Sequence, residues 1–207
     1  MSEEESAISP RIPDISPDSG QAGSPGKRDR ILSAALHLFT SRGFHGTPTS
    51  QISKEAHVST GTLFHYFPDK KTLIDELYLS IQKEVAEAIR KNDDRYLPTK
   101  QRLERCLRGY VAWGMANPEK VRFMDQFYNS PSIGDDVKNE AYHEFRWLFE
   151  VSDTAIHEGI LRDLPLGFYG VMVLRILTGI LSLIASGDTG LSPDEIIENG
   201  LEMIWRR

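Results

Sequence analysis

The sequence predicts an all-α fold with a small N-terminal helical domain and a larger C-terminal helical domain. Apolar residues recur at helical spacing through most of the 207 residues, and no segment alternates with period two for long enough to form a strand. Glycine, proline and serine clusters separate the helical segments as turns. With 40% hydrophobic and 26% charged residues, the chain has the composition of a soluble globular protein.

Residues 1–26 differ in composition from the rest of the chain. They contain four of the eleven prolines, five acidic residues against one basic residue, and no aromatic residue. Such a segment cannot bury enough apolar surface to fold, so we predict a disordered acidic, proline-rich tail. The first residues lack the basic and then apolar pattern of a secretory signal, which favours a cytoplasmic protein.

Three short helices are predicted over residues 27–71. The first begins near Lys27 and ends where the sequence RGF at 42–44 interrupts its apolar periodicity,. Thr47 can cap the second helix, with Pro48 at its first helical position. Ser59 can cap the third helix, which Pro68 ends.

Longer helices are predicted over residues 72–207 and the segment that leads into them. Their apolar periodicity places them at 70–92, 99–116, 118–128, 135–159, 166–186 and 193–206,. The loops between them carry turn residues such as those of SGDTGLSP at 186–193,.

The second and third helices, joined by a tight turn, form a helix-turn-helix, whose second helix enters the major groove by its N-terminal end. Short or flat polar side chains near the two helix starts suit base edges, a glycine allows close approach, and others are placed to hold phosphates. The predicted DNA-contacting residues are Thr49, Ser50, Thr60, Gly61, Thr62, His65, Tyr66 and Lys70. Of the other aromatic residues, Phe64 and Phe67 are expected to pack. The alternative is that 63–67 is only a buried amphipathic turn.

Residues 31–77, ILSAALHLFTSRGFHGTPTSQISKEAHVSTGTLFHYFPDKKTLIDEL, resemble the N-terminal DNA-binding domain of the tetracycline-repressor (TetR) family. The segments GTPT, QISKEA and VSTGTLFHYF fall in register with that pattern. The sequence departs from it at Ser53, His57 and Phe64, where the family usually has Ala, Gly and Tyr. The resemblance implies a homodimer that reads a palindromic operator in double-stranded DNA, and a C-terminal domain that binds a small apolar or amphipathic effector.

Residues 166–186 form an apolar segment about as long as a membrane-spanning helix,. Arg175 at its centre would be costly in lipid, whereas Gly170 and Gly179 would let a neighbouring helix approach closely. We therefore predict a four-helix dimer interface with the last helix, and no membrane contact. The predicted interface residues are Leu174, Leu177, Ile180, Leu181, Ile184, Ile197, Leu201 and Ile204.

The helices between residues 99 and 159 are rich in aromatic residues and methionine, which suits a concave apolar pocket. A well-packed core would have the same composition. The predicted ligand-contacting residues are Trp113, Phe123, Met124, Phe127, Tyr128, Tyr142, Phe145 and Trp147.

The charge is unevenly distributed along the chain. The total is −6, yet residues 27–70 contain six basic and three acidic residues. This basic segment confines DNA contact to the N-terminal domain. The acidic tail could instead dock on that domain and weaken DNA binding.

No pattern of catalytic or metal-binding residues is present. The six histidines include no pair at helical i, i+3 or i+4 spacing, and no serine elbow or phosphate-binding glycine loop occurs,. The single cysteine, Cys106, is interpreted as a core residue, with a redox sensor as the alternative. We predict neither enzyme activity nor a cofactor. The competing hypothesis is a helical small-molecule-binding protein or enzyme that retains a vestigial helix-turn-helix.

Overall fold

The computed structural model describes residues 26–128, 130 and 132–205, except for the side chain of Tyr128. These residues form ten α-helices and no strand, which confirms the predicted all-α class. Apart from Gly26, the predicted tail lies outside the described residues. The helices are α1 (Lys27–Arg42), α2 (Thr49–Glu55), α3 (Thr60–Tyr66), α4 (Lys70–Arg90), α5 (Thr99–Ala116), α6 (Pro118–Tyr128), α7 (Asp135–His143), α8 (Arg146–His157), α9 (Leu166–Ser186) and α10 (Pro193–Glu202).

The helix predicted over 135–159 is two helices, α7 and α8. Between them Phe145 has φ −102° and ψ 3°, in the region between helix and strand where chains change direction. Neither proline nor glycine marks this break, and Phe145 is half-buried against the core. Periodicity alone therefore could not reveal it.

Helices α1 to α3 pack around a shared apolar centre formed by Phe39, Ile52, Leu63 and Phe67, all fully buried. Thr47 lies in the loop before α2 and does not cap that helix as predicted; Pro48 occupies the capping position. The Thr47 side chain is fully buried, and its hydroxyl lies 2.8 Å from the Gly43 carbonyl and 3.1 Å from the Leu38 carbonyl. It ties the loop to the end of α1.

The turn between α2 and α3 requires a residue with positive φ. His57 occupies that position with φ 53°, a conformation for which glycine is the usual residue,. Ser53, buried between the two helices, donates to the Ser50 carbonyl at 3.1 Å. This bond satisfies the buried hydroxyl without breaking the helix.

Helix α5 lies at the centre of the C-terminal domain, where it contacts α4, α8, α9 and α10. Helix α6 packs against both α5 and α1. It carries Phe123 and Phe127, whose rings stack at 4.7 Å, and Phe127 lies 6.3 Å from the ring of Phe39 in α1. This aromatic group joins the N-terminal domain to the body.

We predict that Thr47→Val lowers the free energy of unfolding by about 1–3 kcal/mol, because a buried hydrogen bond is lost and a carbonyl loses its partner. Urea unfolding followed by circular dichroism measures the change. Thr40→Val is the matched control, since the buried Thr40 hydroxyl has no partner within the described part of the chain. Equal losses from both substitutions would contradict the role of Thr47.

Candidate nucleic-acid interface and ligand cavity

The start of α3 is held by a side-chain cap. Ser59 accepts a hydrogen bond from the Thr62 backbone N–H at 3.0 Å, and its hydroxyl lies 2.9 Å from the Thr62 hydroxyl. Thr60, Gly61 and His65 are exposed on this helix, and Thr62 is half-buried. The capped N-terminal turn therefore presents polar groups and bare backbone to solvent, as groove contact requires.

The start of α2 contributes a second polar surface. Ser50 is exposed and Thr49 is half-buried there. Thr60 is linked to this helix, because its hydroxyl lies 3.2 Å from the Ser53 hydroxyl. The polar residues predicted at the two helix starts therefore belong to one connected motif.

The burial of the aromatic residues in and just after α3 differs from the prediction. Phe67 is fully buried as predicted, but Phe64 is 42% exposed. Tyr66, a predicted DNA-contacting residue, is half-buried and packs against the core. Leu63 and Phe67 lie one turn apart and face inward, so Phe64, a residue further along from Leu63, is turned towards solvent.

Lys70, predicted to hold a phosphate, faces the N-terminal domain in this conformation. Its ammonium group donates to the Phe44 carbonyl and lies 4.3 Å from the centre of the Phe44 ring. Partial burial lowers the pKa of Lys70. The Lys70 ammonium group is therefore bound to the loop that follows α1.

Next to it, Asp69 caps α4 by accepting a hydrogen bond from the Thr72 backbone N–H at 2.7 Å. This bond lowers the pKa of the Asp69 carboxyl. The cap fixes where α4 begins, and with it the position of Lys70.

The C-terminal domain encloses a cavity of about 340 Å³. Its wall is largely apolar, with polar groups from several helices, as is usual for small-molecule sites. Among its lining residues are Tyr78, Gln82, Val85, Leu107, Tyr110, Met124, Asp125, Lys138, Tyr142, Phe145, Phe149, Tyr169, Leu174, Arg175, Leu177, Ile204 and Trp205.

Of the predicted ligand-contacting residues, Met124, Tyr142 and Phe145 line this cavity. Phe123 and Phe127 do not, because they face α1 from the other side of α6. The side chain of Tyr128 lies outside the described residues.

The two predicted tryptophans have other contacts. The Trp113 indole donates to Glu84 at 3.0 Å, and Arg90 lies 5.3 Å from the Trp147 ring. Neither residue borders the cavity. Aromatic composition identified the region, but the direction of each side chain depends on how the helices pack.

Several cavity residues were missed, because the composition of a helix does not show which of its sides faces the cavity. Tyr110 of α5 is 3% exposed, and its hydroxyl has no hydrogen-bond partner among the described residues. Burial, and to a lesser extent the charge of Asp125, raise the pKa of this hydroxyl. Arg175, in the middle of α9, donates to Asp125 of α6 at 2.9 Å.

The predicted dimerisation residues are mostly internal to the protomer. Leu177, Ile180, Leu181 and Leu201 are buried. Leu174, Ile184, Ile197 and Ile204 are half-buried against the same core, and Leu174, Leu177 and Ile204 line the cavity. In a helix as apolar as α9, periodicity does not show which side faces the core of the protomer. The residues predicted to form the dimer interface lie on that inner side.

The outer side of α9 is apolar and exposed. Phe168 is 49% exposed, Met172 is 44% exposed and Leu183 is 46% exposed. Gly179 lies between Met172 and Leu183 on the same side of the helix,. We call these four residues the α9 outer stripe. By length and hydropathy α9 could cross a membrane, and 17% of its most apolar window is buried within the protomer.

Cys106 is 1% exposed, and burial raises the pKa of its thiol to about 12. A thiol that stays protonated is a poor nucleophile, which disfavours a redox sensor. Within the described ranges no three His, Cys, Asp or Glu residues are grouped as metal ligands.

A helix-turn-helix with an exposed polar second helix, joined to a helical body with a ligand-sized cavity, defines a DNA-binding transcriptional regulator. Residues 31–77 match the family described as bacterial regulatory proteins, tetR family. The chain belongs to the TetR family of transcriptional regulators.

Similarity extends beyond the DNA-binding domain. An uncharacterised helix-turn-helix regulator of Haemophilus influenzae is 24% identical over 182 residues, which cover 86% of this chain and 93% of that protein. A putative tetR-family regulator from Shewanella sp. PV-4 is 29% identical with a TM-score of 0.76, covering 88% of this chain and all of that one. FadR from Bacillus subtilis, solved in complex with stearoyl-CoA, shares the fold at 17% identity, with a TM-score of 0.65 and coverage of 84% and 96%.

We predict that Ser59→Ala lowers the free energy of unfolding by about 1 kcal/mol, because α3 loses its cap. Ser59→Asp should retain the cap but weaken DNA binding, since it adds negative charge beside the phosphates. Thermal unfolding and fluorescence anisotropy with labelled DNA measure the two effects. Unchanged DNA affinity in a folded Ser59→Asp protein would place this turn outside the interface.

Proposed function

We propose that this protein is a cytoplasmic, ligand-responsive repressor that binds a palindromic operator as a homodimer. The observation that carries the proposal is the cavity in the body together with two helices, α4 and α6, that run from its wall to the DNA-binding domain. A ligand in the cavity thus has a physical route to the recognition helix.

The residues at and around the capped start of α3 would contact DNA in two ways, at base edges and at phosphates. Thr60, Thr62 and His65 have donors and acceptors suited to base edges, with Gly61 admitting close approach and Ser50 contributing from α2. Thr49 and Tyr66 lie beside these residues and would hold phosphates, as would Lys70 once released from Phe44. Phosphate oxygens would replace the Phe44 carbonyl as acceptors, so the Lys70 ammonium would exchange one partner for another.

Helix α6 would transmit the state of the cavity to α1. Met124 and Asp125 border the cavity on one side of the helix, and Phe127 contacts Phe39 of α1 on the other. A ligand that displaces α6 would shift α1 with it.

Helix α4 supplies a parallel route, because Tyr78 and Gln82 border the cavity while Lys70 begins the helix at the DNA-binding domain. Repression would end when the ligand favours the arrangement that fits DNA poorly, a population shift that requires different ligand affinities for the two states.

The α9 outer stripe supports a homodimer. Phe168, Met172 and Leu183 leave an apolar surface uncovered on a single protomer. Gly179 within it would allow a second helix to approach closely. A second copy of the chain would bury this surface by two-fold symmetry and set the distance between two recognition helices, which a palindrome requires.

Operator binding should be selective and sensitive to salt. We expect the full-length protein to shift DNA from upstream of its own gene, with affinity falling steeply between low and physiological salt because phosphate contacts release counterions.

His65→Ala should change base preference at one position of each half-site, at a cost of about 1–3 kcal/mol there. Lys70→Ala should weaken binding to all sequences alike.

Anisotropy titrations against a randomised operator library measure both effects. Lys71→Ala is the control for Lys70→Ala, since Lys71 is exposed and pairs with Asp75. A folded protein with no sequence preference would contradict the proposed function.

Charge in the α9 outer stripe should prevent dimerisation. We expect Leu183→Asp to yield monomers, because the carboxylate would be buried without a partner in the interface. Leu191→Asp is the control, since Leu191 is 48% exposed in the loop after α9. Light scattering after size exclusion measures the mass, and a Leu183→Asp dimer would place the interface elsewhere.

A further inference from the structure

One residue that lines the cavity, Tyr110, has a buried hydroxyl to which no group in the described part of the chain bonds. Buried hydroxyls in folded proteins nearly always have a partner, and a group without one calls for a specific explanation. A ligand atom that accepts a hydrogen bond from Tyr110 would supply it. Burial keeps this hydroxyl protonated, because it raises the pKa of Tyr110.

Two basic side chains and one acidic side chain line the same cavity: Arg175, Lys138 and Asp125. Lys138 lies 3.9 Å from the carboxylate of Asp135, which is outside the cavity lining and 96% exposed. Arg175 and Asp125 form an ion pair at 2.9 Å, with 42% and 57% of their side chains exposed. The charge of Asp125 also contributes to raising the pKa of the Tyr110 hydroxyl. The ion pair and the unsatisfied hydroxyl thus belong to residues that line the same cavity.

We propose that the effector is an organic anion with an apolar body, whose acidic group displaces Asp125 from Arg175 and accepts a hydrogen bond from the Tyr110 hydroxyl. This inference rests on the ligand-responsive function proposed above. The apolar body would lie against Leu107, Met124 and Phe145, which line the rest of the cavity. Asp125 is more than half exposed, so water can solvate its carboxylate once Arg175 has changed partner.

The exchange of partners has a mechanical consequence. The ion pair joins α9, which carries the proposed dimer surface, to α6, which contacts α1 through Phe127. When the effector takes Arg175, α6 loses this link and its Asp125 is repelled by the bound anion. The effector thereby frees the helix that holds the DNA-binding domain.

The test compares how tightly the full-length protein binds a carboxylate and an uncharged alcohol that have the same apolar body. Decanoate and decanol share an aliphatic body, and naphthoate and naphthol share an aromatic one, so the two pairs separate the charge from the body. Trp205 borders the cavity, and its fluorescence, with calorimetry, reports binding without DNA. We expect the carboxylate of at least one pair to bind about tenfold more tightly than its alcohol, as a charge-assisted hydrogen bond implies.

Variants assign the effect to the named residues. Arg175→Gln should abolish the preference for the carboxylate, whereas Arg122→Gln, an exposed change on α6, should retain it. Tyr110→Phe should weaken carboxylate binding about fivefold, with Tyr96→Phe as the exposed control. Asp125→Asn should act in the opposite direction and tighten carboxylate binding, because Arg175 loses its competing charge. A loss of folding could not produce that gain.

The outcomes are separable. Alcohols that bind as tightly as the carboxylates, no binding by either carboxylate, or an Asp125→Asn variant that binds them more weakly would each overturn the anion proposal, even if operator DNA is still bound. Carboxylate binding that depends on Arg175, in a protein that binds no operator, would support the site and contradict the proposed repressor. Release of operator DNA by the carboxylate from the unaltered protein, and not from Arg175→Gln, would support both.

Discussion

The contact between Phe39 of α1 and Phe127 of α6 is the interaction on which the rest of the structure depends. The ring centres lie 6.3 Å apart, and Phe123 stacks on Phe127 at 4.7 Å. All three side chains are essentially fully buried, so the N-terminal domain and the body share one apolar centre. Dense packing of this kind transmits displacement, because it leaves no space into which one ring can move alone. The position of the recognition helix is therefore tied to the position of α6.

That constraint explains the arrangement of α6. The aromatic residues of α6 pack against the N-terminal domain, and Met124 and Asp125 lie on the side that borders the cavity. Asp125 accepts a hydrogen bond from Arg175 of α9. Arg175 is the only charged residue of this long apolar helix, and it thus has an ionic partner within the protein. The arginine that argued against a membrane span in the sequence has a structural role here. It connects the helix with an exposed apolar stripe to the helix that packs against α1.

Local signals let the sequence predict the helix-turn-helix almost completely. The Ser59 cap, the Pro68 stop and the tight turn at His57 act within a few residues of each other, so their physical meaning does not depend on the rest of the chain. The bounds of α5, α6 and α9 follow for the same reason, since proline, glycine and serine flank them. The break at Phe145 has no such signal, since neither proline nor glycine lies there and Phe145 itself packs against the core.

The cavity and the outer stripe could not be assigned correctly from sequence, because both depend on the rotation of helices about their own axes. In an apolar helix such as α9, periodicity does not distinguish an inner side from an outer one. Leu177 and Leu183 look alike in the sequence, yet the first is 4% exposed beside the cavity and the second is 46% exposed. The packing of α5, α8 and α10 against α9 decides between them. The same logic applies to Phe64 on the third helix: once Leu63 and Phe67 are buried, its position on the helix leaves the ring exposed beside the polar groups proposed to face DNA. An exposed aromatic ring there is the geometric consequence of a packed core, and it adds an apolar element to a surface proposed to read bases through hydroxyl and imidazole groups.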